Sequence, residues 1–310
     1  MGSKIHMHSR PIQILLVAAH PADSFDQAGG TLAHHVERGD KVTVAIATTG
    51  VRSHDWELKD EKIKQQSDLD VETKMKEAVA RKLEETRNAC RICGFDDVRD
   101  LGFEDDDLLL DRPKVEAIAD VIRDVKPDLL ISHHPFETGG LKMHGTIGQA
   151  TVFATQLAQG TGRGRQERHQ TPVIYFMNPI AYVGANSLEY ASTARVDLYV
   201  DITDVIDKKV KALDQISSQY YGGAYSRKRG EMQDGHYGNK AGVGYAEAFQ
   251  RYTPMVRYTL PISDKELDQV DEPMGNMMAR RSEMIPAFMP LPEDMGFSSD
   301  HRIPPEKYND

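Results

Sequence analysis

Only two cysteines occur in 310 residues, so a disulfide framework is excluded as the source of stability. They stand as Cys90-x-x-Cys93. A redox pair of that form follows a strand and opens a helix, and a zinc knuckle needs a second pair. This one closes a helical pattern just before Gly94, so both thiols are expected to pack in the core. Positive charge is short: 38 Lys and Arg against 48 Asp and Glu leave a formal net charge of −10, which argues against a nucleic-acid surface. No segment reaches the roughly 18 consecutive apolar residues that a membrane span needs. No secretory leader is visible, and the cytoplasm is the expected location. Internal repeats are missing too. What remains is an ordinary globular composition, 39% hydrophobic and 28% charged, enough for one large domain with appendages.

Residues 1–10, MGSKIHMHSR, look in part like a cloning remnant and are set aside. The rest is organised around Ile12 to Gly30. Ile14 to Val17 form a short continuous apolar run, which fits a strand buried on both faces. His20, Pro21, Ala22 and Asp23 then break it, and Gly29 and Gly30 lie in the helical pattern that follows. A His and an Asp three residues apart at a strand end put two metal-ligand side chains at the carboxyl edge of a sheet, where open α/β sheets build their sites. The plainer alternative is that both only cap the helix.

Further apolar runs alternate with helical patterns. Strands are expected at Val42–Thr48, Val98–Phe103, Asp128–Ser132, Val173–Met177 and Leu198–Ile202. Helices are expected at Val71–Cys93, with Gly94 ending it, at Pro113–Val125 and at Gly145–Ala158. Another is expected after a capping Thr203, with Ile206, Val210, Leu213 and Ser217 on one face. Lys59–Asp70 reads as a polar surface excursion, Glu104–Asp107 as a solvated acidic loop, Gly160–Gln170 as a loop and Tyr245–Arg251 as helical. The pattern implies an α/β fold: a Rossmann-like, mostly parallel sheet with helices on both faces. Residues 11–260 form that domain, and 261–310 an extended C-terminal arm. Seven of the thirteen Met lie between Met255 and Met295 among many Pro. The arm is expected to pack on a neighbouring subunit of a homo-oligomer, or alternatively over its own domain.

A second His-rich segment, DLLISHHPFETGGLKMHGTIGQA, ends the strand at Ser132. With it, the chain resembles the LmbE/PIG-L superfamily of zinc-dependent enzymes from about Ile12 to about Pro254. That family opens with a strand, A-H-P-D-D and a Gly-Gly helix, and returns with a strand and a loop ending in D-H. The resemblance implies that His20, Asp23 and His144 hold Zn2+ or another divalent metal. Two imidazoles and one carboxylate, with a fourth position open, form a reasonable catalytic zinc set.

Departures from the family pattern bear on the reaction. In its deacetylase branch the Asp right after His-Pro is the general base, and here that position is Ala22. The family's H-P-D-H reads Leu141-Lys142-Met143-His144, so only its last His is kept. The 4-oxalomesaconate hydratase branch has the same Ala. It also resembles this chain at Gly50–His54, at Asp201–Lys209 and at Tyr245–Arg251. Where that branch has an acid/base Glu, this chain has His54, with Asp55 as the fallback; its P-H-Q segment is replaced by Ile180–Gly184. His54 titrates near neutrality and can move a proton; the plainer reading is an exposed loop His. Of His133 and His134, one is expected to hold substrate or orient a ligand, the other to be buried and satisfied. His134 is the further catalytic candidate. Arg52, Arg81 and Lys142 can clamp a carboxylate, although surface ion pairs are commoner for such residues. The leading expectation is a metal-dependent hydratase or lyase on a small, anionic oxo- or carboxyl-bearing acid. The alternatives are a zinc-dependent N-deacetylase with a non-standard base, and a non-catalytic metal protein.

Overall fold

A computed structural model describes residues 10–65, 70–107, 109–137, 142–160, 167–179, 194–263, 266–267 and 270–285. Seven strands make one sheet: β1 (Gln13–Ala18), β2 (Lys41–Ile46), β3 (Asp97–Asp100), β4 (Leu129–Ser132), β5 (Val173–Met177), β6 (Leu198–Asp201) and β7 (Ala246–Arg251). Their order is β3-β2-β1-β4-β5-β7-β6. The first five in that order run parallel; β7 is antiparallel to β5, and β6 to β7.

The apolar run of β1 is continuous because both faces are covered. Leu15 and Val17 pack with Ile118, Ile122, Leu130 and Ile147. Ile14, Leu16 and Ala18 pack with Ala28, Leu32, Val44 and Ile46. The first group belongs to the face of α4 (Arg112–Val125) and α5 (Met143–Gln159), the second to that of α1 (Pro21–Glu37). α3 (Val71–Cys93) and α6 (Ile206–Leu213) pack outside α1 through Phe25, Ala89, Cys90, Cys93 and Leu213. Both cysteines are buried there and unbonded to each other, as expected. Gly30 lets α1 sit tight against the turn that follows β6: a Cβ on it would lie 2.6 Å from Ile202 Cγ2. Gly94 ends α3 at φ 94, a conformation that favours glycine.

Several expectations are corrected. Tyr245–Arg251 is not helical. Its Ala, Glu, Gln and Arg favour a helix locally, but Ala246–Arg251 fills the slot between β5 and β6 and becomes β7. The polar surface stretch expected at Lys59–Asp70 begins inside a helix, α2 (Trp56–Gln65). Thr203 caps no α-helix; it opens a 3₁₀ turn, Thr203–Val205, and its hydroxyl donates to Asp201. Ser217 begins a second 3₁₀ turn instead of extending α6. The arm contains a short helix, Met274–Arg281, and is anchored on its own domain by buried Ile285. The Ile285 N–H lies 2.6 Å from the Tyr245 hydroxyl oxygen. Leu141, most of Gly160–Gln170, Ile180–Gly184 and residues 286–310 lie outside the described residues. No helix among the described residues is long and apolar enough to cross a membrane.

The chain leaves β1 on one side, through β2 and β3, and returns on the other with β4. Strand order reverses between β1 and β4. The crevice outside the carboxyl ends of strands at such a reversal is where open α/β sheets bind ligands.

Candidate metal centre

Four loops meet at this edge, in the order of their strands. The loop after β1 carries His20 and Asp23; that after β2 carries Ser53 and His54; that after β3 carries Asp105; that after β4 carries His133 and Glu137. Backbone hydrogen bonds running past the strand ends hold the first three together: Thr48 N–H to Ala19 O at 3.0 Å, and Phe103 N–H to Ala47 O at 2.9 Å.

His20 precedes Pro21, the first residue of α1, and its backbone N–H donates to Asp23 Oδ2 at 2.8 Å. Capping and ligation are therefore compatible: the bond that starts the helix also aims Asp23. The same oxygen lies 3.3 Å from His20 Nδ1 and 3.3 Å from His144 Nε2. Donor atoms about 2.0–2.1 Å from a tetrahedral zinc are about 3.3 Å from one another, so these three side chains fit the ion. Both ring nitrogens of His20 are buried without a hydrogen-bond partner, a costly state that a metal would relieve. Electrostatics agree. Burial works against both charges of the Asp23–His144 pair, yet His144 with the neighbouring imidazoles holds the Asp23 carboxyl well below its usual range. Asp23 and Glu137 likewise outweigh burial and hold His144 well above the usual imidazole range. A pocket that favours a buried positive charge is suited to a cation.

His144 starts α5, behind Lys142 in a left-handed conformation at φ 70. Gly145 and Gly148 let this helix close on the β4 loop: a Cβ on Gly145 would lie 2.5 Å from Glu137 O, and one on Gly148 2.6 Å from His133 O. That approach brings Glu137 Oε1 to 2.5 Å from His144 Nδ1. Burial raises the Glu137 carboxyl, but His144 and His133 overcome this and bring it down to about 2. His133, Glu137 and His144 also lie within ligand range of one another. The Glu137 bond already occupies His144 Nδ1, so the set with His20 and Asp23 is the better metal site.

His133 accepts the Ala19 N–H on Nε2 at 3.0 Å and stacks on His144, ring centroids 4.1 Å apart. His134 lies edge-on to Phe176 at 5.3 Å, and burial lowers its imidazolium to about 4. The His54 ring is 4.1 Å from that of His20, and burial, with His20 next, lowers its imidazolium to about 3, so His54 is neither an exposed loop His nor the near-neutral group expected from the sequence. Asp55 is buried: it accepts the Leu58 N–H at 2.8 Å to start α2 and pairs with Arg81 at 2.9 Å. Arg52 pairs with Glu104 at 3.0 Å. Lys142 is exposed, and no partner is found for it among the described residues.

Sequence reasoning missed Glu137 and Asp105. The acidic run is not all solvated: Asp105 is 2% exposed. Its partner stands 52 residues away on the loop of the adjacent strand, so only the strand order reveals the contact.

The GlcNAc-PI de-N-acetylase (PIG-L) family pattern matches residues 15–155. The 4-oxalmesaconate hydratase of Pseudomonas putida is 28% identical over 83% of this chain and 96% of that protein. A probable N-acetyl-alpha-D-glucosaminyl L-malate deacetylase of Bacillus cereus is also 28% identical, over 66% of this chain and 83% of that protein. The crystal structure of a 4-carboxy-2-hydroxymuconate hydratase from Pseudomonas putida shares the fold, with a TM-score of 0.61 and 24% identity over 81% of this chain and all of that one. The chain carries a PIG-L/LmbE-family domain, and His20, Asp23 and His144 all fall within it.

Proposed function

We propose that this protein is a metal-dependent hydratase or lyase acting on a small, anionic oxo- or carboxyl-bearing acid. Ala22 carries the reading. The position where the deacetylase pattern has its base holds a methyl group, 1% exposed and packed among Phe25, Ala89 and Cys90. A methyl group accepts no proton. Among the described residues, His54 is the imidazole beside His20 that keeps a ring nitrogen without a partner and not fully buried.

Zinc is the proposed ion, held by His20, Asp23 and His144, and supplies Lewis-acid polarisation of a substrate oxygen or of water. Hydration then asks the chain to move one proton. His54 takes it from water as the water oxygen bonds one carbon of the double bond, and returns it to the neighbouring carbon. His133 and Glu137 keep His144 oriented. Lys142, two residues before His144 and without a partner among the described residues, can meet a substrate carboxylate; Arg52 and Arg81 already have carboxylate partners. The exposed apolar side chains between Met255 and Met284 support a further proposal, that copies of this chain associate through this stretch.

The second reading, an N-deacetylase, is favoured by the Bacillus cereus relative at the same identity. Two assays on the zinc-loaded protein separate them: loss of absorbance of conjugated enol acids, and amine release from N-acetyl sugars. Amine release with no loss of absorbance would replace the hydratase reading with the deacetylase one.

A further inference from the structure

The Asp105 side chain takes two hydrogen bonds from Ser53, the backbone N–H at 2.7 Å and the hydroxyl at 2.5 Å. Both converge on Oδ2, as expected of a carboxylate oxygen, which only accepts. The hydroxyl proton of Ser53 is thereby committed to Asp105. Its oxygen, 2.5 Å from His54 Nδ1, is left as an acceptor, so Nδ1 must be the protonated ring nitrogen. A neutral imidazole carries one N–H, which leaves Nε2 with a bare lone pair. No partner is found for that atom among the described residues, and it is not among the buried unpaired atoms, so it is not sealed from solvent.

The backbone of His54 is held as well. Its N–H donates to Gly50 O at 2.7 Å, and buried Lys82 donates from Nζ to its carbonyl at 3.3 Å. Neither contact selects a tautomer. Only the Ser53 oxygen does, and its own polarity is set by Asp105. Without that carboxylate, a serine hydroxyl can donate to imidazole as readily as accept from it.

We infer that Asp105 and Ser53 are positioning residues that hold His54 in the tautomer with a proton-accepting Nε2. The role of that nitrogen rests on the proposed hydratase reading, whereas the tautomer is a property of the resting protein. If Nε2 were protonated in the resting state it could donate but not take a proton, and hydration would lack its first step.

The test uses the zinc-loaded full-length chain labelled with 15N-histidine. Two-dimensional 15N–1H spectra tuned to two-bond couplings distinguish the two tautomers, and His54→Gln identifies the His54 signals. The wild type is expected to show the proton on Nδ1, and Ser53→Thr, which keeps the hydroxyl, to retain it. Ser53→Ala removes the acceptor. Asp105→Ala removes the acceptor of the Ser53 hydroxyl proton and lets that proton turn toward His54. Both should shift the population toward Nε2–H, and turnover of the acid should fall in both and return in Ser53→Thr. A wild-type ring protonated on Nε2 would overturn the inference. So would an unchanged tautomer in Ser53→Ala, a variant that keeps buried Asp105 and so tests the point even if Asp105→Ala does not fold. A failed hydratase assay with the expected tautomer would count against the reaction alone.

Discussion

Glu137 Oε1 stands 2.5 Å from Nδ1 of His144, with both side chains buried at the start of α5. The contact fixes which nitrogen of His144 faces Asp23, since a ring that donates from Nδ1 presents a lone pair at Nε2. It also places a negative charge behind His144, the proposed ligand, and such a charge raises the affinity of an imidazole for a cation.

Glu137→Gln keeps the size of the side chain and removes the charge. Zinc affinity should fall roughly 10- to 100-fold, the usual cost of losing a group that orients a ligand. His144→Ala removes a ligand and should cost more. Competition against a chromophoric chelator measures both. Wild-type affinity in His144→Ala would exclude that residue from the metal set.

His54→Ala should keep the fold and the metal while turnover of the accepted acid falls roughly 100- to 10,000-fold, the typical contribution of a positioned acid/base. The comparison needs steady-state rates, far-UV circular dichroism and zinc content of the same preparations. A rate within a few-fold of wild type would remove His54 from the reaction and leave His133 and His134 to be tested.

These residues differ in how far the sequence reveals them. His20 and Asp23 were legible because both follow one apolar run, and β1 is continuous only because each face meets its own helix layer. His144 needed the family resemblance: it lies 11 residues past His133, at the start of a helix and not at the strand end. Glu137 and Asp105 were not legible, since burial of a carboxylate depends on which loops the strand order sets side by side. β7 shows the same limit for secondary structure. Glu247 on that strand is buried against Lys209 at 2.9 Å, a pairing that local propensity cannot register.

Ala22→Asp restores the residue type that the deacetylase pattern carries. The carboxyl would enter the apolar cluster of Phe25, Ala89, Cys90 and Leu213. Burying a polar group without a partner costs about 1–3 kcal/mol in proteins, so the melting temperature should drop while zinc is kept. No amine release from N-acetyl sugars is expected, because a base in apolar surroundings is held in its neutral form. An unchanged melting temperature with a gain in amine release would show that the site needs only this one carboxyl to become a deacetylase.

Val256 is 93% exposed, Leu260 92% and Val270 74%, and the helix Met274–Arg281 buries none of its residues. Apolar side chains gathered on one segment are ordinarily covered by a partner, and the proposed partner is a second copy. Truncation would be a poor test, because it removes Ile285 from its packing with Ile206, Val210 and Tyr245 and so damages the domain itself. Val256→Asp combined with Leu260→Asp leaves Ile285 in place and puts charge only on exposed positions. Light scattering coupled to size-exclusion chromatography should give a wild-type mass above the 34.7 kDa of one chain, and the double variant a mass near that of one chain with an unchanged melting curve. A wild-type protein that runs as a single chain at micromolar concentration would mean that these side chains face solvent and that the arm serves its own domain alone.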